Sequence, residues 1–264
     1  MIAILGAGKM GEALLSGLLR AGRAPSDIVV TEYRAERAAE LRDTYGVQAV
    51  PAAEAAKTAD TLILAVKPQD MGVLLEEIAP HVPTDRQVIS VAAGITTRFI
   101  EERLAEGTPV VRVMPNTPVL VDQGMCVISA GTHAGEEHLA RTEEMLRPVG
   151  KVARIPETLQ DAATALSGSG PAYVYYLVEA MVDAGILLGV PRATALEMVI
   201  QSVVGAATML RDSGEHPVLL REAVTSPGGT TISAIGELEK HSVRAAFLAA
   251  IEAAADRGHE LAGG

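Results

Sequence analysis

The stretch that decides the fold reads Ile2-Ala3-Ile4-Leu5-Gly6-Ala7-Gly8-Lys9-Met10-Gly11, followed by Glu12-Ala13-Leu14-Leu15. An unbroken apolar run, a G-x-G-x-x-G turn and an amphipathic stretch over 12–20 are the strand, phosphate turn and helix of a dinucleotide-binding βαβ unit. The three glycines have separate jobs. Gly6 makes the tight turn, Gly8 lets backbone approach a pyrophosphate, and Gly11 lets the helix pack closely on the strand. The helix start adds free N–H groups for phosphate. Glycine-rich turns are common, so the pattern gains its weight from the strand before it and the helix after it.

Outward from this turn, short apolar runs at 28–31, 61–66, 88–91, 110–114 and 125–128 are bounded by turn residues. Amphipathic stretches at 37–44 and 71–79 lie between the early ones. Strands alternating with helices predict an α/β fold with a mostly parallel, doubly wound sheet of Rossmann type. The runs are apolar without alternation, as strands covered on both faces require. After about residue 155 the texture changes to Ala/Leu/Val/Met-rich segments, read as helices near 170–189, 192–212, 216–224, 230–240 and 242–260. The expected division is a dinucleotide-binding domain over 1–158 and an all-α domain over 159–264. The 170–189 helix is apolar nearly all round, which a domain of this size can scarcely cover alone, so a second subunit is expected against it.

Composition narrows the function. A formal net charge of -11 argues against non-specific binding to nucleic acid or an anionic membrane, either of which normally needs clustered Lys and Arg. The one cysteine, Cys126, rules out an intrachain disulfide framework and fits a reducing, cytoplasmic setting. Its flanks are apolar, so it reads as buried filler. The chain opens without a basic start, long apolar stretch and cleavage site, so no signal peptide is expected. No H-E-x-x-H or comparable spacing links the six histidines, and no metal site is expected.

Ligands in such sheets sit beyond the carboxyl ends of the strands. At the end of the second strand Glu32 favours NAD through the adenosine ribose, whereas Arg34 and Arg37 just beyond can grip the 2′-phosphate of NADP or simply start a solvated helix. At the same edge lie Ala65-Val66-Lys67-Pro68, Ala93, and Asn116 within Arg112-Val113-Met114-Pro115-Asn116-Thr117-Pro118. Lys67 can reach ribose or phosphate. Asn116 can bond a nicotinamide carboxamide or orient its own loop.

In the helical part, Thr225-Ser226-Pro227-Gly228-Gly229-Thr230-Thr231 turns abruptly before a helix that Thr230 or Thr231 can cap. Free N–H groups and hydroxyls there make a carboxylate-sized anion site without a cation, or a plain helix start. Ser167-Gly168-Ser169-Gly170-Pro171 reads as a second glycine-rich bend. No lysine occurs between Lys151 and Lys240, and there is no G-x-S-x-G elbow. A dinucleotide fold without an evident catalytic base suits reduction of a protonated cyclic imine, already electrophilic at C=N⁺.

Taken together, GAGKMG, AVKP, RVMPNTP, SGSGPAYVYYLVEAM and HPVLLREAVTSPGGTT, in this order along the whole chain, resemble the pyrroline-5-carboxylate reductase family. The resemblance implies reduction of 1-pyrroline-5-carboxylate to L-proline with NADPH or NADH, the last step of proline biosynthesis. It implies a C-terminal helical dimerisation domain that interlocks with another subunit's helices, in a dimer or a multiple such as a decamer. It assigns the substrate carboxylate to Ser226, Gly229, Thr230 and Thr231, with Thr231 nearest the ring nitrogen. The cofactor falls to Gly6, Ala7, Gly8, Lys9, Met10, Gly11, Ala65, Val66, Lys67, Pro68 and Asn116. Many relatives carry Asn-Arg or Ser-Arg after the second strand, whereas this chain has Thr31-Glu32-Tyr33-Arg34, so the NADPH preference usual in the family does not carry over and both cofactors stay open. A β-hydroxyacid dehydrogenase-like enzyme would need a helix lysine after SGSGP, which this chain lacks. A non-catalytic dinucleotide sensor would leave the SPGGTT turn empty, and an S-adenosylmethionine methyltransferase explains none of the C-terminal motifs.

Overall fold

The computed structural model describes residues 1–261. Among them, eight strands form one sheet: β1 (Ile2–Leu5), β2 (Ile28–Thr31), β3 (Gln48–Ala49), β4 (Thr61–Leu64), β5 (Gln87–Ser90), β6 (Val110–Met114), β7 (Gly124–Ala130) and β8 (Gly150–Arg154). Their spatial order is β3-β2-β1-β4-β5-β6-β7-β8. All neighbours are parallel except β6 and β7, which pair antiparallel with Met114 opposite Val127. Strand order reverses beside β1, which has β2 on one side and β4 on the other. That switch point leaves a crevice past the carboxyl ends of β1, β2 and β4.

The helices of this part are α1 (Lys9–Arg20), α2 (Ala35–Tyr45), α3 (Ala52–Thr58), α4 (Met71–Ile78), α5 (Thr97–Glu101), α6 (Glu136–Leu146) and α7 (Gln160–Ala163). Side chains along a strand point alternately to the two faces, and here each face meets its own core. Ile2 and Ile4 join Leu14, Leu15 and Leu18 of α1, Leu41 of α2 and Leu146 of α6. Ala3 and Leu5 join Ala52 and Ala55 of α3, Leu75 and Ile78 of α4, and Ile100 of α5. Both faces are therefore dry, which explains why β1, β2 and β4 carry no polar alternation. Each fully buried Leu or Ile contributes about 1.5–3 kcal/mol to this arrangement.

The sheet has two strands that the apolar runs do not announce. β3 is two exposed residues at one edge, and β8 at the other is only half-buried, with Lys151 and Arg154 exposed. α1 also begins at Lys9 rather than at residue 12, so the phosphate turn runs straight into helix.

Near β6 a charged cluster crosses the same part. The Arg112 side chain is 4% exposed and its guanidinium reaches Glu157 Oε1 at 3.3 Å and Asp161 Oδ1 at 3.5 Å. Glu157 also accepts from the Thr97 N–H and hydroxyl at the start of α5. Cys126 in β7 is fully buried, and burial pushes its thiol up to about 12. Since the thiolate is the reactive form, Cys126 should stay silent to an aqueous thiol reagent at mildly alkaline pH and react fully once denaturant opens the sheet. Thiol release monitored by absorbance checks this, and rapid labelling of the native protein would contradict it.

The chain divides into two compact units, Met1–Ser169 with the end of the last helix from Ala254, and Gly170–Ala253. The second unit is helical: α8 (Gly170–Leu187), α9 (Arg192–Ser213), α10 (Pro217–Ala223), α11 (Thr230–Lys240) and most of α12 (Val243–Leu261). The expected bend at 167–171 falls at Ser169, after a π-helical turn over Thr164–Gly168 and before α8, with Pro171 in the first turn where a missing N–H costs nothing. As its nearly all-round apolar surface predicts, α8 is left uncovered by the described residues of this chain. Only Val182 of α8 and Ala195 of α9 are buried, while Tyr175, Tyr176, Leu177, Met181, Met198 and Val204 stand exposed. By length and composition alone α9 could also cross a membrane.

Candidate functional site

Past the carboxyl ends of β1, β2 and β4 lies an open groove of about 490 Å³ lined by twelve residues: Gly6, Ala7, Gly8, Thr31, Glu32, Tyr33, Ala65, Val66, Lys67, Asp70, Val73 and Leu74. Seven expected cofactor residues meet there: Gly6, Ala7, Gly8, Glu32, Ala65, Val66 and Lys67. The backbone explains why. Gly6 sits at φ +102°, and a Cβ on it would come within 2.8 Å of the Ala65–Val66 peptide at the end of β4. Gly11 is buried under the turn, where a Cβ would lie 2.1 Å from the Gly6 carbonyl oxygen. Gly8 differs from both. A Cβ on Gly8 would meet nothing within 4 Å, so the protein's own packing does not demand glycine there. Gly8 is also the N-cap of α1 and supplies no side-chain cap, which leaves first-turn N–H groups of α1 for a ligand. The Thr31 hydroxyl, buried at the groove wall, has no hydrogen-bond partner. Open space at Gly8, uncapped N–H groups and a spare hydroxyl fit a dinucleotide pyrophosphate and ribose.

The remaining expected residues stand off the groove wall. Lys9 is exposed and Met10 half-buried against the core in the first turn of α1. Pro68 and Ala93 are exposed at the same sheet edge. Asn116 orients its loop: its side-chain amide donates to the Ser167 carbonyl at 2.9 Å, and its oxygen accepts from the Met125 N–H at 2.9 Å. Arg34 is exposed and fastened to Glu32. Sequence reading missed Thr31, Tyr33, Asp70, Val73 and Leu74 as groove residues. Their signal was position, since they flank the ends of β2 and β4 at the edge already named.

In the second unit, the chain turns at Gly228 (φ +67°) and the Gly229 N–H closes onto the Ser226 carbonyl at 3.1 Å. This puts Gly229 at the N-cap of α11, with no side-chain cap. Thr230 and Thr231 thus fall inside the first turn and do not cap the helix, contrary to expectation. Ser226 lies over Gly229, its Oγ 2.4 Å from where a Cβ would stand. One turn therefore gathers Ser226, Gly229, Thr230 and half-buried Thr231 around unpaired helix N–H groups.

A doubly wound sheet with a glycine-lined groove at its switch point, joined to a helical unit, defines an NAD(P)H-dependent oxidoreductase. Residues 1–94 match the family described as NADP oxidoreductase coenzyme F420-dependent, and residues 157–261 match pyrroline-5-carboxylate reductase dimerisation. The chain is 45% identical to a pyrroline-5-carboxylate reductase of Corynebacterium melassecola, covering 98% of each chain. Among solved structures, a pyrroline-5-carboxylate reductase from Coxiella burnetii superposes with a TM-score of 0.93 at 36% identity, over 98% of this chain and 97% of that one. The Plasmodium falciparum pyrroline carboxylate reductase, solved with NADP bound, gives 0.89 at 28% identity, over 99% and 98%. The chain belongs to the pyrroline-5-carboxylate reductase family.

Proposed function

We propose that the protein reduces 1-pyrroline-5-carboxylate to L-proline with NAD(P)H, closing proline biosynthesis in the cytoplasm. The observation that carries this reading is the pairing, in one chain with full-length relatives of that name, of the glycine groove with the uncapped Ser226–Thr231 turn. The dinucleotide, when bound, supplies a hydride to the C=N carbon. Gly8 and the first turn of α1 would hold its pyrophosphate, and Glu32 would stand at its adenosine end. The N–H groups at the start of α11, with the Ser226 and Thr230 hydroxyls, hold the substrate carboxylate and so orient the ring. Because the imine enters already protonated, hydride addition leaves a neutral amine, and Thr231 hydrogen-bonds that nitrogen to polarise and orient the C=N⁺ rather than to give up a proton. Residues 1–158 act as the dinucleotide-binding part and 159–264 as the part that binds substrate and self-associates.

The bare apolar faces of α8 and α9, together with the family description of residues 157–261, support self-association as a dimer or a multiple such as a decamer. A second copy covering α9 accounts for its hydropathy without a membrane, and the acidic net charge speaks against nucleic acid.

The test is loss of NAD(P)H absorbance on adding 1-pyrroline-5-carboxylate, with proline identified as product. No turnover despite tight dinucleotide binding would move the reading to another imine or to a sensor. Thr231→Ala should lower kcat about tenfold while dinucleotide affinity stays near normal. Unchanged kcat in that variant removes Thr231 from the catalytic role.

A further inference from the structure

We infer that the groove is built for a dinucleotide whose adenosine keeps a free 2′-hydroxyl, that Glu32 is the residue selecting it, and that Tyr33 and Val73 are walls for the adenine, so NADH is the preferred reductant. The inference rests on the nucleotide reading of the groove.

Glu32 stands at the end of β2 in the groove lining, its side chain 10% exposed. Burial alone would push its carboxyl up, but the side-chain and backbone bonds from Arg34 and the charges of Arg34 and Arg37 outweigh burial and hold it below the usual carboxylate range. At neutral pH Glu32 is therefore an anion in the groove wall. An anion there accepts hydrogen bonds from a ribose diol and repels a 2′-phosphate.

Selection then depends on whether a nearby cation is free to compensate, and the two arginines that could do so are both engaged. Arg34 holds Glu32 with two side-chain bonds, Nε to Oε1 at 3.1 Å and the terminal nitrogen to Oε2 at 3.3 Å, and its backbone N–H adds a third at 3.0 Å. Arg37 is clamped between Glu12 and Glu40. A 2′-phosphate could recruit Arg34 only by breaking its bonds to Glu32 and leaving that carboxylate beside a dianion. Lys67 also lines the groove, but a charge that acts on the pyrophosphate helps both dinucleotides equally.

The adenine wall comes from two side chains that are otherwise misplaced in solvent. Tyr33 is 73% exposed and Val73 70% exposed, yet both line the groove. The Tyr33 hydroxyl donates to Glu77 of α4 at 2.9 Å, which fixes the ring at the rim. A pinned aromatic ring and a branched aliphatic side chain offer apolar surfaces to a flat base.

The experiment is equilibrium binding by calorimetry on the full chain, with NADH, NADPH, 5′-AMP and adenosine 2′,5′-bisphosphate, alongside steady-state kinetics. NADH should bind about tenfold or more tightly than NADPH, and 5′-AMP should outbind the bisphosphate by a similar factor. Glu32→Gln should erase about tenfold of that preference. Arg34→Ala, an exposed change with little bearing on folding, should leave or widen it. Tyr33→Ala should weaken both dinucleotides about equally, by roughly fivefold, with their ratio unchanged. Tighter NADPH binding in the wild type, lost on Arg34→Ala, would overturn the proposal while leaving the nucleotide reading intact. Binding of neither dinucleotide would overturn both.

Discussion

Gly8→Ala should lower NAD(P)H affinity about a hundredfold, roughly 2.7 kcal/mol, while the melting temperature stays near that of the parent. The asymmetry comes from where the added methyl points. In the free protein it meets no atom within 4 Å, so folding is indifferent to it. In the complex it stands between the backbone and the pyrophosphate, where close approach is the source of binding. Gly11→Ala provides the contrast. Its methyl would sit 2.1 Å from the Gly6 carbonyl oxygen, so helix and turn must separate and stability itself should fall by about 1–3 kcal/mol. Calorimetric titration with NADH and thermal unfolding of the two variants check both halves. Full cofactor affinity in Gly8→Ala would contradict a pyrophosphate at this turn.

Arg112→Met should destabilise the protein by about 3 kcal/mol, the lower end of the cost of breaking a buried ion pair, because Glu157 and Asp161 retain some solvent access. For a chain of this size that corresponds to a drop of roughly 6–12 °C in Tm. The penalty is that of two carboxylates left without their cation, so removing them as well should recover part of it. The triple variant Arg112→Met, Glu157→Gln, Asp161→Asn is expected to be more stable than Arg112→Met alone, as measured by urea unfolding. A triple variant less stable than the single one would show that the other bonds of the carboxylates, such as those from Thr97 to Glu157, outweigh their unpaired charge.

The groove was legible because its chemistry is local in sequence. Gly6, Gly8 and Gly11 lie within one turn, and Ala65 to Lys67 follow an apolar run that could only be an inner strand. β8 was illegible for the opposite reason. Half-buried at the sheet edge, it needs no apolar run, and Gly150-Lys151-Val152-Ala153-Arg154 reads as surface chain. The state of Glu32 also lay beyond reach, because the sequence shows an acid and two arginines but not which of them pair. Glu12, which helps occupy Arg37, lies twenty-five residues away on α1. The apolar segment 170–189 did announce a helix, and the described residues of its own chain do not supply the cover it calls for.

The course of α12 has a consequence for the order in which the protein can be completed. The chain leaves the first unit at Gly170 and returns to it at Ala254, and the returning turn sets Gly258 against Asp161 and brings His259 within 3.7 Å of the same carboxylate. The ribosome emits the glycine loop first, but the segment that finishes that same unit emerges only after the four helices between have been made. The nascent dinucleotide unit is therefore an unfinished body for about a third of translation, and a chain stalled before residue 254 would carry the cofactor loop without the segment that closes its unit.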